Sequence, residues 1–80
     1  MKQITIRYFA LLREVRGLSS ETVQTQSGSA ADLYSELAAR HGFRLGIDHI
    51  RVAVNDEWAD LDSEIENGDC VTFIPPVAGG

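Results

Sequence analysis

Residues 2–9 alternate between apolar and polar positions, with Ile4, Ile6 and Tyr8 on one side and Gln3, Thr5 and Arg7 on the other. A two-residue period predicts a half-buried strand. Phe9 breaks it, because parity puts this aromatic on the polar face. Residues 10–17 (ALLREVRG) read as a short connector with one helical turn, stopped by Gly17. Residues 21–26 (ETVQTQ) are rich in β-branched side chains and polar on both sides, which suits an edge strand. The period then becomes helical. Ser29 and Asp32 resemble a capping box, with Asp in place of the usual Glu, and Ala30, Leu33, Tyr34, Leu37 and Ala38 fall on one stripe. Arg40 and His41 suit the last turn through the helix dipole, and Gly42 ends it. Residues 43–49 are irregular. Residues 50–55 form a strand with Ile50, Val52 and Val54 inward, and Asn55-Asp56-Glu57 turns into a short piece around Trp58. After the turn Asn67-Gly68-Asp69 comes a last strand, Cys70–Ile74, with Val71 and Phe73 inward.

The predicted order is β-β-α-β-β-β, with no repeat, linker or second domain. Eighty residues bury only ~60% of their unfolded surface. A mixed sheet curled over one main helix is the economical way to hide both apolar faces. The class is therefore α+β, in the element order of the β-grasp, or ubiquitin-like, fold. The domain is expected over residues 1–74, followed by a flexible Gly-Gly tail over residues 75–80. Fold alone does not assign function.

Composition removes several function classes. At 44% apolar and 24% charged residues the chain is an ordinary globular one. It contains no run of ~18 apolar residues, so no membrane span is expected. Its first residues, Met1-Lys2-Gln3-Ile4-Thr5, lack the apolar core of a secretory signal, which predicts a cytoplasmic protein. A single cysteine, Cys70, excludes an internal disulfide framework, a four-thiolate metal site and an iron–sulfur cluster. The net charge of −5 argues against nucleic acid. All seven bases lie at or before Arg51, while seven acids and no base follow Val52, either as solvated loops or as a surface for a basic partner. His41 and His49 have no second ligand or carboxylate at useful spacing, and Ser19-Ser20 has no adjacent base. Asp60 and Asp62 do not complete a calcium loop, and no metal is expected. No catalytic constellation remains, so the chain is expected to have no active site of its own.

The last six residues, Pro75-Pro76-Val77-Ala78-Gly79-Gly80, carry the chemistry. Two prolines end sheet pairing, and six residues project a terminal carboxylate about 20 Å. A frayed end would look similar, but a terminal Gly-Gly arises by chance in roughly one chain in two hundred. Three stretches resemble the small subunit of molybdopterin synthase, a MoaD-type sulfur carrier. They are Tyr8-Phe9-Ala10-Leu11-Leu12-Arg13-Glu14 with Gly17, then Val52-Ala53-Val54-Asn55, and the run from Asn67-Gly68-Asp69-Cys70-Val71-Thr72-Phe73-Ile74 through the Pro-Pro-Val-Ala-Gly-Gly ending. Cys70 and Ala78 depart from residues often found there, and neither change touches the carboxylate.

That resemblance implies a mechanism. An E1-like adenylating enzyme uses ATP to activate Gly80, and a sulfur-donor protein then converts it to a thiocarboxylate. The large subunit, in a complex of two large and two small chains, takes in the thin tail of Val77, Ala78 and Gly79. There Gly80 gives its sulfur to cyclic pyranopterin monophosphate, and molybdopterin is the product. The chain itself needs no cofactor. Parity adds a docking expectation: Phe9 and Ile74 end parallel neighbouring strands and face away from the helix, so with Trp58, Pro75 and Pro76 they are expected to bind the partner. Scattered surface apolar residues are the competing reading. Cys70 reads as a small, partly buried hydrophobe in preference to a persulfide relay. Two other functions share the terminus, a ubiquitin-like modifier joined to lysines through Gly80 and a thiazole-pathway sulfur carrier. A plain interaction domain with an accidental Gly-Gly is the remaining alternative.

Overall fold

The computed structural model describes residues 1–76. Strand β1 (Lys2–Tyr8) leads into a short helix α1 (Ala10–Arg16) and returns as β2 (Ser20–Thr25). The long helix α2 (Ala30–His41) and a 3-10 turn (Ile47–His49) precede β3 (Arg51–Val54), β4 (Glu57–Ala59) and β5 (Cys70–Ile74). The sheet order is β2-β1-β5-β3-β4, with β1 and β5 parallel and every other pair antiparallel. This is the expected α+β, β-grasp arrangement. Ile4, Ile6, Tyr8, Val52, Val71 and Phe73 point from the strands to Leu33, Tyr34 and Leu37 of α2, and all are buried. Fully burying each large apolar side chain stabilises the fold by ~1.5–3 kcal/mol.

Three departures from the sequence pattern have physical causes. The stretch after β1 is a complete helix of seven residues, pinned by Leu12, which is 1% exposed. Gly17 closes it at φ +81°, a conformation that disfavours side chains, with its N–H donating to the Arg13 carbonyl at 2.8 Å. So short a helix buries one side chain and shows no period. Second, β2 is the expected edge strand, but one of its faces packs: Val23 lies partly buried against the core and Thr25 is buried, donating to Glu36 Oε1 at 2.6 Å. Third, the irregular stretch after α2 supplies core. Phe43 lies against Tyr34 and Tyr8 at ring-centre distances of 6.0 and 5.9 Å. Ile65 is also buried, held in place where the loop of residues 60–69 meets the start of α2: the N–H groups of Ala30 and Ala31 donate to the carbonyls of Ser63 and Leu61.

Candidate functional site

Parallel pairing of β1 with β5, in the register Tyr8↔Phe73, brings the carboxyl ends of both strands to one end of the sheet. Phe9 and Ala10 turn into α1 there, and Pro75 leaves β5 beside them. The expected tail therefore departs next to α1. Of its two prolines, Pro75 is buried in the domain and only Pro76 is exposed. Pro75 thus anchors the start of the tail instead of offering a docking surface. Val77, Ala78, Gly79 and Gly80 lie outside the described residues.

The sheet face that α2 leaves uncovered holds the expected apolar cluster. Extended backbone at Phe9 continues the alternation of β1, so Phe9 shares this face with Arg7 and is 42% exposed. Ile74, paired with Arg51, is partly buried on the same side. Trp58 is 69% exposed and occupies the edge strand, in a transverse row Ser20–Arg7–Thr72–Ala53–Trp58. Phe9 and Ile74 are neighbours at the tail end, whereas Trp58 stands three strands from β1, about 14 Å across the sheet at ~4.8 Å per strand. All three share the face, but Trp58 does not complete a compact cluster. The Arg7 guanidinium lies 6.0 Å from the Phe9 ring centre, a cation–π contact that holds the aromatic in place.

Cys70 lies at the other end of β5, paired with Thr5, about 13 Å along the strand from Ile74. Its backbone N–H donates to Asn55 Oδ1 at 2.9 Å, and its side chain is half-buried. That position suits a packing residue and keeps the thiol far from where the tail departs.

One polar cluster was not legible in the sequence. Tyr8 Oη donates to Glu21 Oε2 at 2.6 Å, while Arg16 grips both carboxylate oxygens at 2.9 and 2.8 Å. His41 Nε2 stands 3.9 Å from the same carboxylate. Hydrogen bonds from Arg16 hold the Glu21 carboxyl below the usual range, outweighing burial. Burial above all pushes the Tyr8 hydroxyl up, helped by its bond to Glu21. Burial and the Arg16 charge push His41 down. These residues join β1, α1, β2 and α2, and the carboxylate is saturated by its donors. The cluster is a clamp on the tail end of the domain. Among the described residues no set of three His, Cys, Asp or Glu side chains could hold a metal.

Folding also sorts the charges. Arg7, Arg13, Arg16, Arg40, Arg44 and Arg51, six of the seven bases, surround the end of the sheet from which the tail leaves. Glu14, Glu21, Asp48 and Asp60 share that end, and Asp56 pairs with Arg7 at 3.6 Å, but most acids after Val52 lie toward the opposite end. Asp56 sits in the β3–β4 turn, Asp32 in the first turn of α2, and Glu64, Glu66 and Asp69 in the loop that meets the start of β1 and α2. No helix of the described residues is long and apolar enough to cross a membrane.

Comparison with known proteins agrees with this geometry. The ThiS family model matches residues 6–80. The molybdopterin synthase sulfur carrier subunit of Homo sapiens is 34% identical, over 98% of this chain and 94% of that protein. Among solved structures, SAMP1 from Haloferax volcanii, a small archaeal modifier protein, is 31% identical with a TM-score of 0.78, covering 98% of this chain and 99% of that one. A putative molybdopterin converting factor subunit 1 from Pyrococcus furiosus is 30% identical with a TM-score of 0.77, over 96% of this chain and 100% of that one.

Proposed function

The chain belongs to the ThiS family, and from that premise we propose that it carries sulfur as a thiocarboxylate on Gly80 for the synthesis of molybdopterin. One observation carries the proposal. The parallel β1–β5 pair brings Pro75 and Pro76 to one end of the sheet, beside the exposed Phe9 and the partly buried Ile74. That position supports a terminus handed to partner proteins.

A carboxylate is a poor electrophile. An adenylating enzyme transfers AMP from ATP to Gly80 with release of pyrophosphate, and sulfide-level sulfur delivered by a donor protein then displaces AMP. A large subunit receives the tail, whose two glycines allow close backbone approach within a narrow channel. The thiocarboxylate gives its sulfur to cyclic pyranopterin monophosphate, and two such transfers complete the dithiolene. Orientation of the reacting atoms belongs to the large subunit's pocket. Phe9 and Ile74 supply the apolar contact that docks it, with Pro76 and Trp58 at the margins, in a complex of two large and two small chains. The name of the human relative, a subunit of molybdopterin synthase, supports such a partner. The test is the intact mass of the chain after incubation with the adenylating enzyme, ATP and a sulfur donor. One oxygen should be exchanged for one sulfur, and the product should then convert the pterin precursor in the presence of the large subunit. An unchanged mass would refute the proposal.

Similarity to an archaeal modifier protein favours a second reading, attachment of Gly80 to lysines of other proteins. Both use the same activated terminus. Covalent conjugates in extracts that disappear on deletion of Gly80 would identify the modifier.

A further inference from the structure

A second apolar surface is left uncovered, on the helix side of the sheet. Leu11 and Val15 stand one turn apart on α1 and are 49% and 48% exposed. Together with the buried Leu12 and Phe43 and the half-buried Leu45 they line a hollow of about 280 Å³. Arg44 is the one charged residue in its wall, and no salt bridge engages it among the described residues. Single exposed leucines are common on protein surfaces. An exposed leucine and valine on one helical face, opening onto a concave apolar floor, form a surface suited to docking.

We propose that this hollow is a second docking site, filled by a segment of a partner protein that presents a large apolar side chain flanked by carboxylates. Charge selects that occupant. The chain carries a net −5, yet the wall of the hollow holds an arginine and no acid. The hollow lies between α1 and the segment that follows α2, where Arg13 is a further arginine with no salt bridge among the described residues. A carboxylate beside the apolar side chain is therefore favoured at Arg44, which makes no salt bridge among the described residues. A symmetric second copy fits poorly, because the same patch on both copies brings an arginine and no carboxylate to answer it. The hollow and the Phe9–Ile74 face lie on opposite sides of the sheet and flank the point where the tail departs. One partner can hold the domain while the tail is passed to another. The proposal goes beyond the sulfur-carrier function and does not depend on it, since a modifier would carry the same hollow.

The test is titration of the ¹⁵N-labelled full chain with two acetylated and amidated tetrapeptides, Asp-Phe-Asp-Leu and Lys-Phe-Lys-Leu, followed by amide chemical shifts. The acidic peptide should move the amides of Leu11, Val15, Gly42, Arg44 and Leu45, and should bind at least about fivefold more tightly than the basic one. Arg44→Glu should reverse that order. Leu11→Asp, at a half-exposed site and therefore compatible with folding, should abolish both responses. The proposal is overturned by still amides at these positions, by equal response to the two peptides, or by shifts confined to Trp58 and Ile74. Concentration-dependent movement of the same amides without peptide would overturn it too, by making a second copy the occupant.

Discussion

Glu21→Gln tests the clamp at the tail end of the domain. Three donors converge on this carboxylate, Tyr8 Oη at 2.6 Å and two Arg16 nitrogens at 2.9 and 2.8 Å. An amide keeps one acceptor oxygen and must turn its NH₂ toward the guanidinium. Hydrogen bonds to charged groups are worth ~1.5–3 kcal/mol, and the loss is discounted here because the Arg16 side chain is 26% exposed. The expected loss is about 2 kcal/mol, or roughly 8–16 °C in Tm for a domain of this size. Thermal unfolding by circular dichroism measures it, and its pH dependence supplies the sign. Glu21 is held low in the folded state, so its contribution is present above the ordinary carboxylate pKa of about 4.3 and is lost as pH falls through the folded value. His41 is also held low, so the unfolded chain binds its proton first, and stability falls as pH drops below about 6.5. In Glu21→Gln the acid loss near pH 4 should shrink, with Glu36, also held low, supplying what remains. The His41 loss should deepen, because Glu21 supports its protonated form. A Tm within about 2 °C of wild type, with an unchanged pH profile, would refute the clamp.

Phe9→Ala and Ile74→Ala should each weaken binding of the large subunit by more than ~2 kcal/mol in titration calorimetry, whereas Trp58→Ala, three strands away, should cost less. Unchanged affinity in the first two would remove the apolar face from the interface. Cys70→Ala should fold with a modest cavity cost and still take up sulfur at Gly80 by intact mass. Failure to accept sulfur would restore the relay. Adding one residue after Gly80, or deleting Gly80, shifts the carboxylate by ~3.5 Å, and Gly79→Val puts a β-branched side chain into a narrow channel. Each should fold, bind the large subunit and fail to yield dithiolene. Full product from the extended or shortened chain would sink the mechanism.

Period and parity made much of this molecule readable from its residues. Alternation in residues 2–9 and 70–74 assigned β1 and β5 and their inward faces, and the same parity put Phe9 and Ile74 on the uncovered side. The Ser29 cap holds as read, its Oγ accepting from the Asp32 N–H at 3.1 Å, and the apolar stripe and Gly42 set the rest of α2. The Gly79-Gly80 ending pointed to the family. Local signals of this kind survive because strand and helix periods are properties of neighbouring residues. Tertiary structure alone decided the rest. Leu12 could order a seven-residue helix only by reaching the core, and Phe43 and Ile65 became core from stretches with no period at all. Glu21 acquired Tyr8, Arg16 and His41 from three other elements. Trp58 shares a face with Phe9 but stands across the sheet from it, because strand order is not sequence order. The chain reads as acidic in its second half, yet parallel pairing of its first and last strands gathers the arginines where the tail departs. Contacts between residues distant in sequence follow from closing the sheet around one core, and no local pattern records them.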